Sequence, residues 1–249
     1  MYRFLLVAIS LYVMAWLVVD RAYAVPVTGF VDGRSNLYKA SPSGGGDGLN
    51  PLSIHFKRGI GGELTFSSVT GGTHCCSGDP SGGGSSTADG IGGLPTTNIF
   101  ESGGISGLLA PGTMFLSGVF VDSTAGFGLA PAKLDYFSDL STSDPIFSPV
   151  LNQAFFIGDG LTSNGSGSIQ TFQVPDFADR LFLGFVDGNG FSGSPNFFND
   201  NTGGLNVVGS LQNVSPVPLP AGFWLLLGAL ACAFGTVRLR NRPGAAVAT

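Results

Sequence analysis

Leu181-Phe182-Leu183-Gly184-Phe185-Val186-Asp187 is a run of six uncharged residues closed by an acid. Its length and its aromatic and branched side chains read as a core strand rather than a helix. Before it, Val174-Pro175-Asp176-Phe177-Ala178-Asp179-Arg180 has the residues of a turn. After it comes a long loop, Gly188 to Phe198, rich in Gly, Ser and Phe. Outward from this point the same grammar repeats. Met114–Val121 and Ala154–Ile157 are apolar enough for core strands, whereas 52–56, 64–69, 169–174 and 205–211 alternate as half-buried strands do. Pro145–Leu151 is the one candidate for a helical turn.

Forty glycines and twenty-one phenylalanines, with few helix formers, support β structure joined by turns. The expected fold is all-β: one antiparallel β-sandwich or jelly roll over residues 25–210. Two segments, 41–48 and 78–93, are almost wholly Gly, Ser, Asp and Thr and read as flexible loops. No internal repeat of fixed period occurs, and 211–216 reads as a linker.

The ends carry targeting chemistry. Residue Arg3 precedes an uncharged stretch from Phe4 to Val19, followed by Ala22-Tyr23-Ala24. A basic start, an apolar stretch and small residues around a cleavage point describe a signal peptide over residues 1–24, a helix cut after Ala24 by signal peptidase. An uncleaved membrane anchor is the alternative. At the other end, Val217-Pro218-Leu219-Pro220-Ala221 leads into an uncharged run to Val237, and Arg238, Arg240 and Arg242 follow. The run, about 221–237, is expected to cross a membrane as a helix with its arginines cytoplasmic, leaving 243–249 as a short tail.

Over 217–242 the order of short motif, apolar helix and basic tip resembles the PEP-CTERM sorting signal in its VPLPA variant, with Pro218-Leu219-Pro220 in place of Pro-Glu-Pro. The resemblance implies a Gram-negative host that makes extracellular polysaccharide. It implies exosortase as a partner cutting near Pro218–Ala221, and a route from inner membrane to cell surface or medium.

Between Val25 and Pro216 there are fifteen Asp and Glu against six Lys and Arg, a net charge of −9. That balance argues against nucleic acid, whose phosphates need a cationic surface, and suits cations. Of the three cysteines, Cys75 and Cys76 are adjacent and Cys232 lies in the C-terminal apolar run. The adjacent pair is open to three readings: a strained vicinal disulfide, an intermolecular bridge or two unpaired thiols. With His74 it offers too few ligands for zinc.

Asp187 and the turn Asn199-Asp200-Asn201-Thr202-Gly203 flank the Gly188–Phe198 loop. Carboxylate, amide and main-chain oxygens are what calcium takes, so Asp187, Asp200 and Asn201 are candidate ligands. A turn that binds nothing is the competing reading. Phe155-Phe156-Ile157-Gly158-Asp159-Gly160-Leu161-Thr162, Val174 to Asp187 and Asp200-Asn201-Thr202-Gly203 resemble the distal half of the calcium-dependent galactophilic lectins of bacteria. That resemblance implies Asp187 as a strand-end ligand, Asp200 and Asn201 as a turn pair, and a calcium ion that also holds sugar hydroxyls. Asp200 stands where those lectins have Asn, and the loop before it is longer. Phe191, Phe197 and Phe198 either stack on a sugar or fold back on the domain. Asp159 reads as a turn residue, and Arg180 as the surface partner of Asp176 or Asp179.

A glycan-processing enzyme with Asp187 and Asp200 as paired carboxylates is the third reading, set aside because an exposed glycine-rich loop offers no apolar pocket to raise one of the acids. His55 and His74 are the only histidines, and neither a Gly-x-Ser-x-Gly elbow nor a phosphate loop with its lysine occurs. The sequence therefore points to an exported, non-catalytic protein that binds carbohydrate with calcium, or to a structural protein of an extracellular polymer without a discrete ligand.

Overall fold

The computed structural model describes residues 24–58, 62–76, 86–91 and 96–212. The signal peptide other than Ala24, the sorting residues Val217 to Ala221 with Arg238, Arg240 and Arg242, the 221–237 helix and Cys232 lie outside the described residues. Among the described residues no helix is long and apolar enough to cross a membrane.

The protein is all-β. Its largest sheet is ordered β1 (Ala24–Asp32), β15 (Thr202–Gln212), β3 (Gly62–His74), β12 (Thr171–Val174) and β8 (Ile146–Phe147). A second has β2 (Leu52–His55), β13 (Arg180–Gly184), β6 (Ser117–Val121) and β9 (Ala154–Phe156). A third joins β14 (Ser192–Gly193), β4 (Thr97–Ile99), β5 (Leu108–Ala110) and β7 (Leu134–Asp135). The hairpin of β10 (Leu161–Ser163) and β11 (Ser166–Ile169) stands apart. One compact unit spans Ala22–Val214.

Central strands are mostly apolar because both faces are covered: every residue of β6 is buried, as are Leu181 to Gly184 of β13. The aromatic rings join the first two sheets. Phe155 of β9 stacks on Phe120 of β6 at 5.2 Å and meets Phe172 of β12 at 5.5 Å, and Phe172 stacks on Phe147 of β8 at 5.4 Å. Offset stacks and tilted pairs at such distances are the favourable arrangements for ring quadrupoles.

Several expectations change. Pairing is not wholly antiparallel: β12–β8, β14–β4 and β5–β7 are parallel, each over two residues. Short strands meet in this way because loops, not hairpin turns, deliver them. Pro145–Leu151 holds β8 rather than a helical turn; Pro145 O accepts from Thr171 N, which draws the segment against β12. The last strand runs through Gln212, where β15 still pairs with Ala24 and Glu63, so it takes in the first two residues assigned to the linker.

The 41–48 segment is not free. The buried Asn36 amide donates to Gly45 O and Asp47 O, and Gly45 N donates to Ser102 Oγ. Buried partners hold the backbone that glycine alone would leave loose. Within 78–93, residues 86–91 bridge to Thr73 and Thr113, and the rest lies outside the described residues.

The pairing that matters most for the site is at the far end of the long strands. Thr202 of β15 faces His74 of β3, so the residues just beyond each, Asn201 and Cys75, come out side by side. Gly203 makes this crossing possible. Its φ is +79°, and a Cβ there would sit 2.2 Å from Gly72 O. Both costs fall on backbone that cannot step aside. Gly203→Ala is expected to lower stability by about 1–3 kcal/mol, read as a lower urea midpoint at an unchanged slope.

Candidate functional site

Asp187 leaves the end of β13 and is buried, 3% exposed. Its carbonyl accepts from Asn196 N, and Gly188 bridges to Pro195, so the long loop closes on its own stem. The Asp187 carboxylate accepts from Gly188 N at 2.7 Å and from Asn201 Nδ2 at 2.8 Å. Asn201 is 1% exposed, and its Oδ1 has no hydrogen-bond partner. Asp200 shares a cavity of about 260 Å³ with Asp187, Cys75, Cys76, Phe191 and Phe197. Of the three sequence-predicted residues, Asp187 and Asp200 line one cavity, and Asn201, outside its lining, is tied to Asp187 by a hydrogen bond.

Electrostatics mark the place. Burial pushes the Asp187 carboxyl up to about 7 against its two hydrogen bonds, with the charges of Asp200 and Asp47 adding to the effect. Burial also raises Asp200, helped by Asp47. The ion pairs Arg34–Asp32 and Arg58–Asp122 lie elsewhere, and no lysine or arginine pairs with Asp187 among the described residues. A buried carboxylate left so must take a proton or a cation.

The backbone around the cavity is also unusual. Cys76, Phe191 and Phe197 have φ of 64°, 59° and 71°. Left-handed conformations are costly for bulky side chains and gather where a site must be shaped. Phe191 and Phe198 fold back and are buried, while Phe197 stays 44% exposed at the rim. Of the three phenylalanines, one faces outward beside the cavity.

Two participants went unread in the sequence. Asp47 arrives from the glycine-rich 41–48 segment, and its carboxylate accepts from Phe198 N at 2.8 Å and Asn199 N at 3.3 Å. It holds the turn that presents Asp200 and Asn201. The only signal was a single acid within a run of glycine and serine. Cys75 and Cys76 arrive through the Thr202–His74 register, which no local pattern announces.

A hard divalent ion suits the donors: two carboxylates, the unpartnered Asn201 Oδ1 and the carbonyls of a glycine-rich loop. Among the described residues no group of three or more His, Cys, Asp or Glu side chains could hold a metal by themselves. The amide and main-chain oxygens are thus needed to complete any such site. A larger hollow of about 490 Å³, against Val25, His55, Phe56 and Lys57, has no carboxylate in its lining.

The remaining candidates fall out of the site. Asp159 is a turn residue whose carboxylate accepts from Leu161 N and Gly165 N. Asp179 accepts from the Ser123 amide and hydroxyl.

No family model, curated protein or solved structure matches the chain. If Asp47 positions the turn, Asp47→Ala is expected to weaken cation binding about 10-fold with Asp187, Asp200 and Asn201 intact. Calorimetric titration of the variant checks this; an unchanged affinity would remove Asp47 from the site.

Proposed function

We propose that the chain is an exported, non-catalytic protein of the cell surface or extracellular matrix, sorted by exosortase, whose β-sandwich ectodomain binds carbohydrate with the help of calcium. The observation that carries the cation reading is the pair Asp187–Asn201. A buried carboxylate that pairs with no lysine or arginine among the described residues accepts from the Asn201 amide nitrogen, and the oxygen of that same buried amide has no donor. One cation answers both deficits. Asp187, Asp200 and Asn201 would hold it, and when bound it supplies a positive centre for sugar hydroxyls. The exposed Phe197 ring at the rim gives such a sugar an apolar face to rest on.

The non-catalytic part of the reading rests on the sequence, which has two histidines and neither a Gly-x-Ser-x-Gly elbow nor a phosphate loop with its lysine. His55 Nε2 lies 3.3 Å from Ser53 Oγ on the half-buried strand β2. The C-terminal motif Val217–Ala221, its apolar run and Arg238, Arg240 and Arg242 support the sorting route.

Calorimetric titration with calcium, followed by galactosides in calcium, tests the reading. Heat of binding at micromolar to millimolar calcium, and a sugar response that disappears with chelator, are expected. Silence at millimolar calcium would leave the structural matrix protein as the better account.

A further inference from the structure

The cavity that carries Asp187 and Asp200 has a second chemistry in its wall. Cys75 is buried and Cys76 exposed, and the Cys76 thiol points at the Cys75 sulfur 2.6 Å away. Peptide geometry puts neighbouring Cα atoms about 3.8 Å apart, closer than the roughly 4.4–6.8 Å of ordinary disulfides. The left-handed backbone at Cys76, φ 64°, brings the two side chains to one side all the same. An exposed, attackable sulfur thus stands over a buried one.

We propose that Cys75 and Cys76 form a reversible vicinal disulfide, and that this bond is the redox-sensitive wall of the cation cavity. The oxidant is a disulfide of the exocytoplasmic space. The Cys76 sulfur attacks it and expels one thiol of the oxidant, giving a mixed disulfide. The Cys75 sulfur then displaces the second thiol as the Cys75–Cys76 bond forms. Two electrons and two protons leave the cysteines and end on the two thiols released. A bond spanning so short a Cα separation is strained and hence more easily reduced than a structural disulfide. While closed, it fixes Cys75 and Cys76 where they line the cavity with Asp187 and Asp200. When open, it frees Cys76, whose backbone is already in a sparsely populated conformation.

The coupling to cation binding rests on the reading of Asp187, Asp200 and Asn201 given above; the disulfide does not. The test uses full-length protein exported by a Gram-negative host. Alkylation without reductant, digestion and mass spectrometry should return the Cys75–Cys76 peptide two hydrogens lighter and unalkylated, with two alkyl groups added only after reduction. Both thiols alkylated at once, or a link to another chain, would overturn the proposal. On the same material, reduction and desalting should weaken calcium binding about 10-fold. Cys75→Ser/Cys76→Ser should bind at the reduced level whether or not reductant is used. Equal affinity in both redox states would remove the wall role. Absence of calcium binding in either state would overturn the cation site and the coupling, while the mass measurement alone decides the disulfide.

Discussion

Asp187→Asn is expected to lower calcium affinity by at least about 100-fold and, at the same time, to make the metal-free protein more stable at neutral pH. Both effects come from one charge. Burial lifts the folded-state carboxyl from 3.8 to about 7, so the folded protein holds this proton more tightly than the unfolded chain does. The stabilising contribution is therefore complete below about pH 4 and lost as pH rises towards 7. Over that window the loss is about 3–4 kcal/mol. Asparagine carries no charge to desolvate, and the Asn201 amide is free to turn its unpartnered Oδ1 towards the new side-chain amide. In urea unfolding without calcium, the wild-type protein should therefore lose ground to Asp187→Asn between pH 4 and 7 and stay behind above it. Calcium at 100 times its dissociation constant should return about 2.7 kcal/mol to the wild type and nothing to the variant. Below pH 7 the proton competes with the cation, so affinity should fall by about tenfold per pH unit. A variant that binds calcium as well as the wild type would show that the cation sits elsewhere. Equal stability of the two proteins at pH 8 would show that the Asp187 charge is compensated.

Phe155→Ala should cost about 3–5 kcal/mol, a large part of the roughly 5–15 kcal/mol that holds an ordinary domain together. Phe155 is fully buried, and its ring touches Phe120 within its own sheet and Phe172 in the neighbouring one. Removing it opens a cavity between two sheets whose backbones cannot close over it. The control is Phe137→Ala, which truncates a ring that is 53% exposed and should change stability by no more than about 0.5 kcal/mol. Similar losses for both would mean that the aromatic contacts are not what joins the sheets. Calcium binding by whatever fraction of Phe155→Ala remains folded should be unchanged, because neither Phe155 nor its ring partners Phe120 and Phe172 line the cavity.

The sequence by itself determined the class of the fold and the core strands. Short apolar runs such as Val119–Val121 and Leu181–Leu183 had to be buried, because phenylalanine and leucine gain free energy only by leaving water. That Asp187 and Asp200 flank one loop was legible in the sequence, and the structure puts both on one cavity. The parallel pairing of β8, β7 and β14 was not legible, since a two-residue strand has no periodicity to read. Nor were Asp47 and the cysteine pair, which were read as loop residues. Their roles depend on register and on distant partners. Asp47 reaches Phe198 N across 151 positions of sequence, and Cys75 reaches the cavity because Thr202 pairs with His74. Local composition sets which side chains must hide from water, whereas long-range hydrogen bonding decides which polar groups are left facing one another once they have.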